Sequence, residues 1–258
     1  MAETPAPGAA PRTARRRFEE PEQQGPEAYV AEFIGTFFLV FFICMILSVS
    51  NGFRVVDFAV IGLLHAFVLA ALIYTLGGVS GAHFNPAVTV TLAALRKITP
   101  IDALIYIFVQ LAAGVAGALV TKLLLDEEGR GVNYGATGLQ PFIEGQPGLG
   151  LIAETIGTFI LVWAIMGTAV NPRGERSFAG LVIGITLGMA VMAIGPLTGA
   201  GFNPARSFGP AVVSGEWADF WIYVVGPLLG GVLSGFTYTA LVIWPQHREG
   251  QRPVDTLP

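Results

Sequence analysis

Charge is what this sequence has least of. Of 258 residues only 12% are charged, where a soluble domain carries roughly 25%. Such a chain lacks the polar surface to face water all round. Two soluble domains would fit the length, but 53% hydrophobic residues argue against them. The formal net charge of -4 is small and spread over loops, which makes no case for a nucleic-acid partner. Cysteine is nearly missing as well. Cys44 alone excludes an internal disulfide and any cysteine metal cluster, and its apolar run marks it as a packing thiol. No metal cluster, phosphate loop or nucleophile-and-base arrangement stands out, so neither an enzyme nor a cofactor is expected.

Long apolar runs are what the chain has instead. A transmembrane helix needs about 20 mainly apolar residues, and six stretches qualify: 29–49, 58–76, 101–125, 149–170, 178–194 and 220–244. Two further apolar pieces, 85–95 and 203–213, are about 10 residues each, or roughly 15 Å of helix. That is half of a hydrocarbon core about 30 Å thick. Neither crosses alone. Each follows a glycine-rich stretch, Gly77-Gly78-Val79-Ser80-Gly81 or Gly195-Pro196-Leu197-Thr198-Gly199, where the backbone is expected to turn sharply. Residues 1–28 read as a disordered cytoplasmic tail, with Arg12, Arg15, Arg16 and Arg17 but no apolar stretch of signal-peptide length. Residues 246–258 read as a second cytoplasmic tail. Lys and Arg fall ten to four in favour of placing both termini in the cytoplasm.

The apolar part, 29–245, is repeated: one copy spans about 29–125, the other about 149–245. Ala31-Glu32-Phe33-Ile34-Gly35-Thr36-Phe37 matches Ala153-Glu154-Thr155-Ile156-Gly157-Thr158-Phe159 at an offset of 122. Ser80-Gly81-Ala82-His83-Phe84-Asn85-Pro86-Ala87 matches Thr198-Gly199-Ala200-Gly201-Phe202-Asn203-Pro204-Ala205 at 118, and Tyr106 and Gly114 match Tyr223 and Gly231 at 117. Three crossings per copy invert the second copy, and inverted repeats place their site where broken helices meet at mid-membrane.

Proline at the first helical position loses no hydrogen bond, and asparagine before it is a preferred cap. Asn85-Pro86-Ala87 and Asn203-Pro204-Ala205 therefore each start a helix whose N-terminus carries about +0.5 of an elementary charge. Two such ends repel a monovalent cation by about 3 kcal/mol at roughly 5 Å and an effective dielectric of about 20. A neutral water meets no such barrier.

On these paired motifs the sequence closely resembles the aquaporin (major intrinsic protein) family, over about residues 29–244. The resemblance implies an all-α membrane protein of six transmembrane helices and two re-entrant half-helices, one pore per subunit, and a homotetramer. It implies a passive channel for water that excludes protons and ions. It also implies a narrow point lined by Arg206, directly after the second motif, by Ala200, by Val191 in the fifth span and by His65 in the second. Water-selective members usually carry an aromatic at the second-span position, and glycerol channels an Asp after the arginine. This chain has His65 and Ser207 there. With Val191 and Ala200, the pattern is similar to plant vacuolar members associated with ammonia and urea. Plain water, and water with a small neutral solute such as ammonia, hydrogen peroxide, urea or glycerol, both stay open.

By the same resemblance Glu32 and Glu154 support the re-entrant loops, a proton relay being the alternative, and Gln110 joins that network. His83 buttresses the cytoplasmic half-pore or simply packs. Gly114, Gly117, Gly230, Gly231, Ser234 and Gly235, with Gly180, Gly184 and Gly188, permit close helix crossing in lipid. A secondary active transporter is the runner-up, since inverted repeats also mark that class. The plasma membrane is the expected location.

Overall fold

Five α-helices open on a proline, and these starts set the frame of the molecule. The computed structural model describes residues 21, 23–50 and 57–249. Helix α1 (Pro26–Val49) follows Gly25, and α4 (Pro100–Leu124) follows Thr99, whose hydroxyl accepts the Asp102 N–H at 3.1 Å. Helix α6 (Pro147–Ile165) and the short helices α3 (Pro86–Ala94) and α8 (Pro204–Ser214) are the others. Helices α2 (Asp57–Ser80), α7 (Ala179–Thr198) and α9 (Ile222–Tyr238) complete the set of spans. Short α5 (Asp126–Arg130) and α10 (Trp244–Glu249) lie outside it. A π-helical turn extends α6 over Met166–Val170, and another extends α9 over Thr239–Ile243. Six of these segments are long and apolar enough to cross a membrane.

Several boundaries differ from those read in the sequence. The N-terminal tail was expected to reach residue 28 and the C-terminal one to begin at 246, yet α1 starts at Pro26 and α10 runs to Glu249. Apolarity marks where hydrocarbon begins, whereas a proline start lets a helix begin earlier, in polar sequence. Neither glycine-rich stretch turns along its length. Gly77, Gly78, Gly195 and Pro196 stay helical, and each turn begins only at the last glycine, Gly81 (φ +81°) or Gly199 (φ +74°). Arg12, Arg15, Arg16, Arg17, Arg54 and Arg252 lie outside the described residues.

Small residues set the helix crossings. A Cβ on Gly188 would come within 2.5 Å of the Gly62 carbonyl oxygen, so α2 and α7 touch through backbone. Gly117 of α4 faces the Phe37 carbonyl of α1, and Gly226 of α9 lies against Glu154 of α6. These contacts match across the repeat, α1 with α4 as α6 with α9. The half-helices cross over. Helix α8 of the second repeat seats Gly209 on Gly114 of α4, and α3 of the first seats Thr91 on Gly231 of α9. Helices in lipid have no hydrophobic drive toward one another, so their association depends on close van der Waals packing of this kind. Cys44 is fully buried beside Val40 and Ala118.

Candidate functional site

The N-terminal ends of α3 and α8 meet. Asn85 and Asn203 are their caps, in extended backbone at φ -157° and -152°. Each side-chain oxygen accepts from its own helix: Asn85 Oδ1 from Ala87 N at 2.9 Å, Asn203 Oδ1 from Ala205 N at 2.9 Å and Arg206 N at 3.3 Å. Each side-chain nitrogen donates across the repeat boundary, Asn85 Nδ2 to Phe202 O at 2.9 Å and Asn203 Nδ2 to Phe84 O at 2.8 Å. An amide has two N–H bonds, so each asparagine keeps one for a molecule in the cavity that both line.

Two buried carboxylates hold the backbone that makes this possible. Gly81, Ala82 and Phe84 have positive φ, as do Gly199, Ala200 and Phe202. Side chains with a Cβ are disfavoured there, so both loops need fastening. Glu32 accepts from Ser80 Oγ (2.7 Å), His83 N (2.9 Å), Phe84 N (2.7 Å) and Gln110 Nε2 (2.7 Å). Glu154 accepts from Thr198 Oγ1 (2.6 Å), Gly201 N (2.9 Å) and Phe202 N (2.7 Å). Tyr106 donates to Ser80 O and Tyr223 to Thr198 O, each at 2.8 Å. The phenyl rings of Phe84 and Phe202 fill the space above Gly35 and Gly157, where a Cβ would overlap them. Sequence reasoning quoted Ser80, Thr198, Phe84, Phe202, Tyr106 and Tyr223 as repeat matches without assigning them this work. Their coincidence in both copies was the available signal.

The cavity holds about 620 Å³. Its wall is built from matched pairs: Leu39 and Leu161, Ile43 and Ile165 at the offset of 122, and Leu69 and Leu187 at 118. The departures from symmetry are chemical. Arg206 stands where the first repeat has Val88, His65 where the second has Ile183, and His83 where the second has Gly201. His65 Nδ1 lies 2.7 Å from the Ile61 carbonyl, which makes it the protonated nitrogen and leaves buried Nε2 with a bare lone pair. Arg206 Nη1 donates to Gly135 O at 2.8 Å, while its buried Nε is unpartnered. His83 packs edge-on to Tyr106 and places Nδ1 3.1 Å from Thr89 Oγ1, and Gln110 reaches the same hydroxyl at 3.1 Å. Val191 and Ala200 are buried but do not line this cavity.

Residues 21–238 match the profile of the family described as major intrinsic protein. The chain belongs to that family. It is 40% identical over 242 residues to aquaporin AqpM of Methanothermobacter thermautotrophicus, covering 82% of this chain and 96% of that protein. It is 38% identical to nodulin-26 of Glycine max, over 81% of this chain and 75% of the relative. The fold matches the X-ray structure of the aquaglyceroporin from Plasmodium falciparum with a TM-score of 0.72 at 23% identity, over 86% of this chain and 98% of that one. As a family member it is a multi-pass membrane protein and a passive channel for water and small solutes. No match supports the active-transporter alternative.

Proposed function

We propose that the cavity between the two asparagines is the middle of a path for water and one or more small neutral solutes (ammonia, hydrogen peroxide, urea or glycerol) and that it excludes protons and ions. One observation carries this reading: two helix N-termini, capped by Asn85 and Asn203, abut at a cavity into which each cap can turn a free N–H. The two ends together place about one positive charge there. A passing water is oriented by these donors beside a wall that is mostly apolar.

Arg206 and His65 form the narrow point in this reading, an unpartnered donor and a lone pair among apolar residues. A solute suits it if it both accepts and donates, as urea and water do. Val191 and Ala200 belong to the outward continuation. Their counterparts at an offset of 118, Ile73 and Ala82, line the cavity, and inverted repeats carry equivalent residues to opposite ends of one path. Small, apolar Val191 and Ala200 leave that end wide. Glu32, Glu154, Gln110 and His83 serve the scaffold, each bonded to the loops or to the half-helix they hold. Both carboxylates spend their oxygens on loop N–H and hydroxyl donors, as a scaffold role requires and a proton relay does not.

The reading extends to assembly and place. Exposed apolar side chains such as Leu104, Phe108 and Leu123 suit contact with lipid or with a neighbouring copy in a homotetramer of the plasma membrane, and the Lys and Arg bias favours both termini in the cytoplasm. Stopped-flow light scattering on proteoliposomes tests the permeation claim, with water, urea, ammonia and glycerol in turn. Water permeability well above that of empty vesicles is expected, together with raised flux of at least one neutral solute. Solute fluxes equal to those of empty vesicles would reduce the channel to water alone, and water flux at the lipid background would end the reading altogether.

A further inference from the structure

The guanidinium of Arg206 is buried yet donates to one protein acceptor among the described residues, the carbonyl of Gly135. A side chain tethered at one point is only as fixed as its tether. Gly135 lies in the segment after α5, where Asn133, Tyr134 and Gly135 follow one another at φ +51°, +50° and +81°. Asparagine tolerates that conformation but tyrosine does not, so something must hold Tyr134 in it.

Tyr134 is the peg. Its side chain is buried, and its hydroxyl donates to Asp126 Oδ1 at 2.7 Å and lies 3.3 Å from the Asp126 carbonyl oxygen. The ring covers Gly129, where a Cβ would overlap it, and Lys122 Nζ sits 5.3 Å from its centroid. Asp126 Oδ2 accepts from Arg130 Nη2 at 2.6 Å, which closes α5 around the peg. On the other side, the Gly135 backbone rests on α1. A Cβ there would lie 2.8 Å from Leu47 Cδ1 and 3.5 Å from Cys44 Cα. The segment continues to the entry of the second half-helix: Thr137 Cα lies 3.5 Å from a Cβ placed on Gly199, and Gln140 N donates to Leu197 O at 2.8 Å.

We infer that Tyr134 and Asp126 are positioning residues for Arg206, fixing the Gly135 carbonyl that aims the guanidinium and thereby setting how strictly the channel discriminates between solutes. The inference rests on Arg206 lining the path, as proposed above. Neither residue touches the cavity, so each acts only through the loop. Loosening the peg lets the guanidinium leave the path part of the time, and bulkier neutral solutes gain.

The test uses the full-length channel in liposomes, with the ratio of urea to water permeability as the readout. Tyr134→Phe and Asp126→Ala should raise that ratio about fivefold, the factor that about 1 kcal/mol for one lost hydrogen bond carries. Asp126→Asn can keep its one oxygen for the Tyr134 hydroxyl only by turning its NH2 toward Arg130, and its ratio should fall between the wild type and Asp126→Ala. Arg206→Val should raise the ratio by itself, and adding Tyr134→Phe to it should change nothing more. A shifted ratio in Arg206→Val with none in Tyr134→Phe and Asp126→Ala would overturn the inference alone. So would a Tyr134→Phe effect that persists undiminished without Arg206. An unchanged ratio in Arg206→Val would remove the narrow point itself, and the inference with it.

Discussion

Asn85 and Asn203 each donate an amide hydrogen to the backbone carbonyl that immediately precedes the other, at 2.9 and 2.8 Å. The two helix ends are thus latched by a reciprocal pair of bonds between repeats. Asn203→Ala strands the Phe84 carbonyl and the N–H groups of Ala205 and Arg206, at about 1–3 kcal/mol for each buried group left unsatisfied. A lower melting temperature in detergent is expected, along with reduced water flux per folded channel. A melting curve that overlays the wild type would mean the latch contributes nothing.

Charge at the same spot can be cancelled. Asn85→Asp keeps an oxygen to cap Ala87 but sets a carboxylate against the Phe202 carbonyl and beside two helix N-termini, whose positive charge it neutralises. Cation conductance in planar bilayers is expected to rise by about tenfold or more, since about 1.4 kcal/mol of lost repulsion is a factor of ten. Wild-type conductance would show that the half-helix ends are not the barrier.

Close approach of backbones predicts an order among glycine substitutions. A Cβ on Gly209 meets the Gly114 backbone, which cannot step aside. A Cβ on Gly78 meets nothing within 4 Å. Gly209→Ala should lower stability by about 1–3 kcal/mol, the usual cost of overpacking, while Gly78→Ala should leave it unchanged or raise it, because alanine favours helix. Thermal melts of the two variants check the contrast, and equal melts would contradict the packing.

Outside the membrane-spanning segments, the Tyr134 hydroxyl bonded to Asp126, with Arg130 and Lys122 nearby, holds that carboxyl below its ordinary value. A depressed carboxylate contributes stability that is present above its unfolded pKa, about 3.9, and that is lost as pH falls through the lower folded value. The loop should therefore keep constant protection in amide hydrogen exchange from neutral pH down to about 4, once intrinsic rates are corrected, and lose it only in stronger acid. Protection already lost by pH 6 would contradict this.

How much of this was legible beforehand depends on the range of the forces involved. The caps at Asn85 and Asn203, the short helices after them and the inverted repeat follow from local chemistry and were readable residue by residue. The crossing of each asparagine to the opposite carbonyl was not, because it depends on where two distant backbones arrive. The turns that begin at Gly81 and Gly199 were hidden by neighbouring glycines, Gly77, Gly78 and Gly195, that stay inside helices. Gly135 gave no sign at all. Its importance comes from an arginine 71 residues away, and no local pattern announces a carbonyl.

The exchange of half-helices, α8 onto α4 and α3 onto α9, has a consequence for how such a chain arises. Each repeat seats its short helix mainly on its twin, so a single ancestral copy would complete the same packing by pairing with an inverted identical molecule about a two-fold axis. Fusion then freed the two halves to diverge, and the conduit acquired a chemically distinct outer mouth that a strictly symmetric dimer has no means to build.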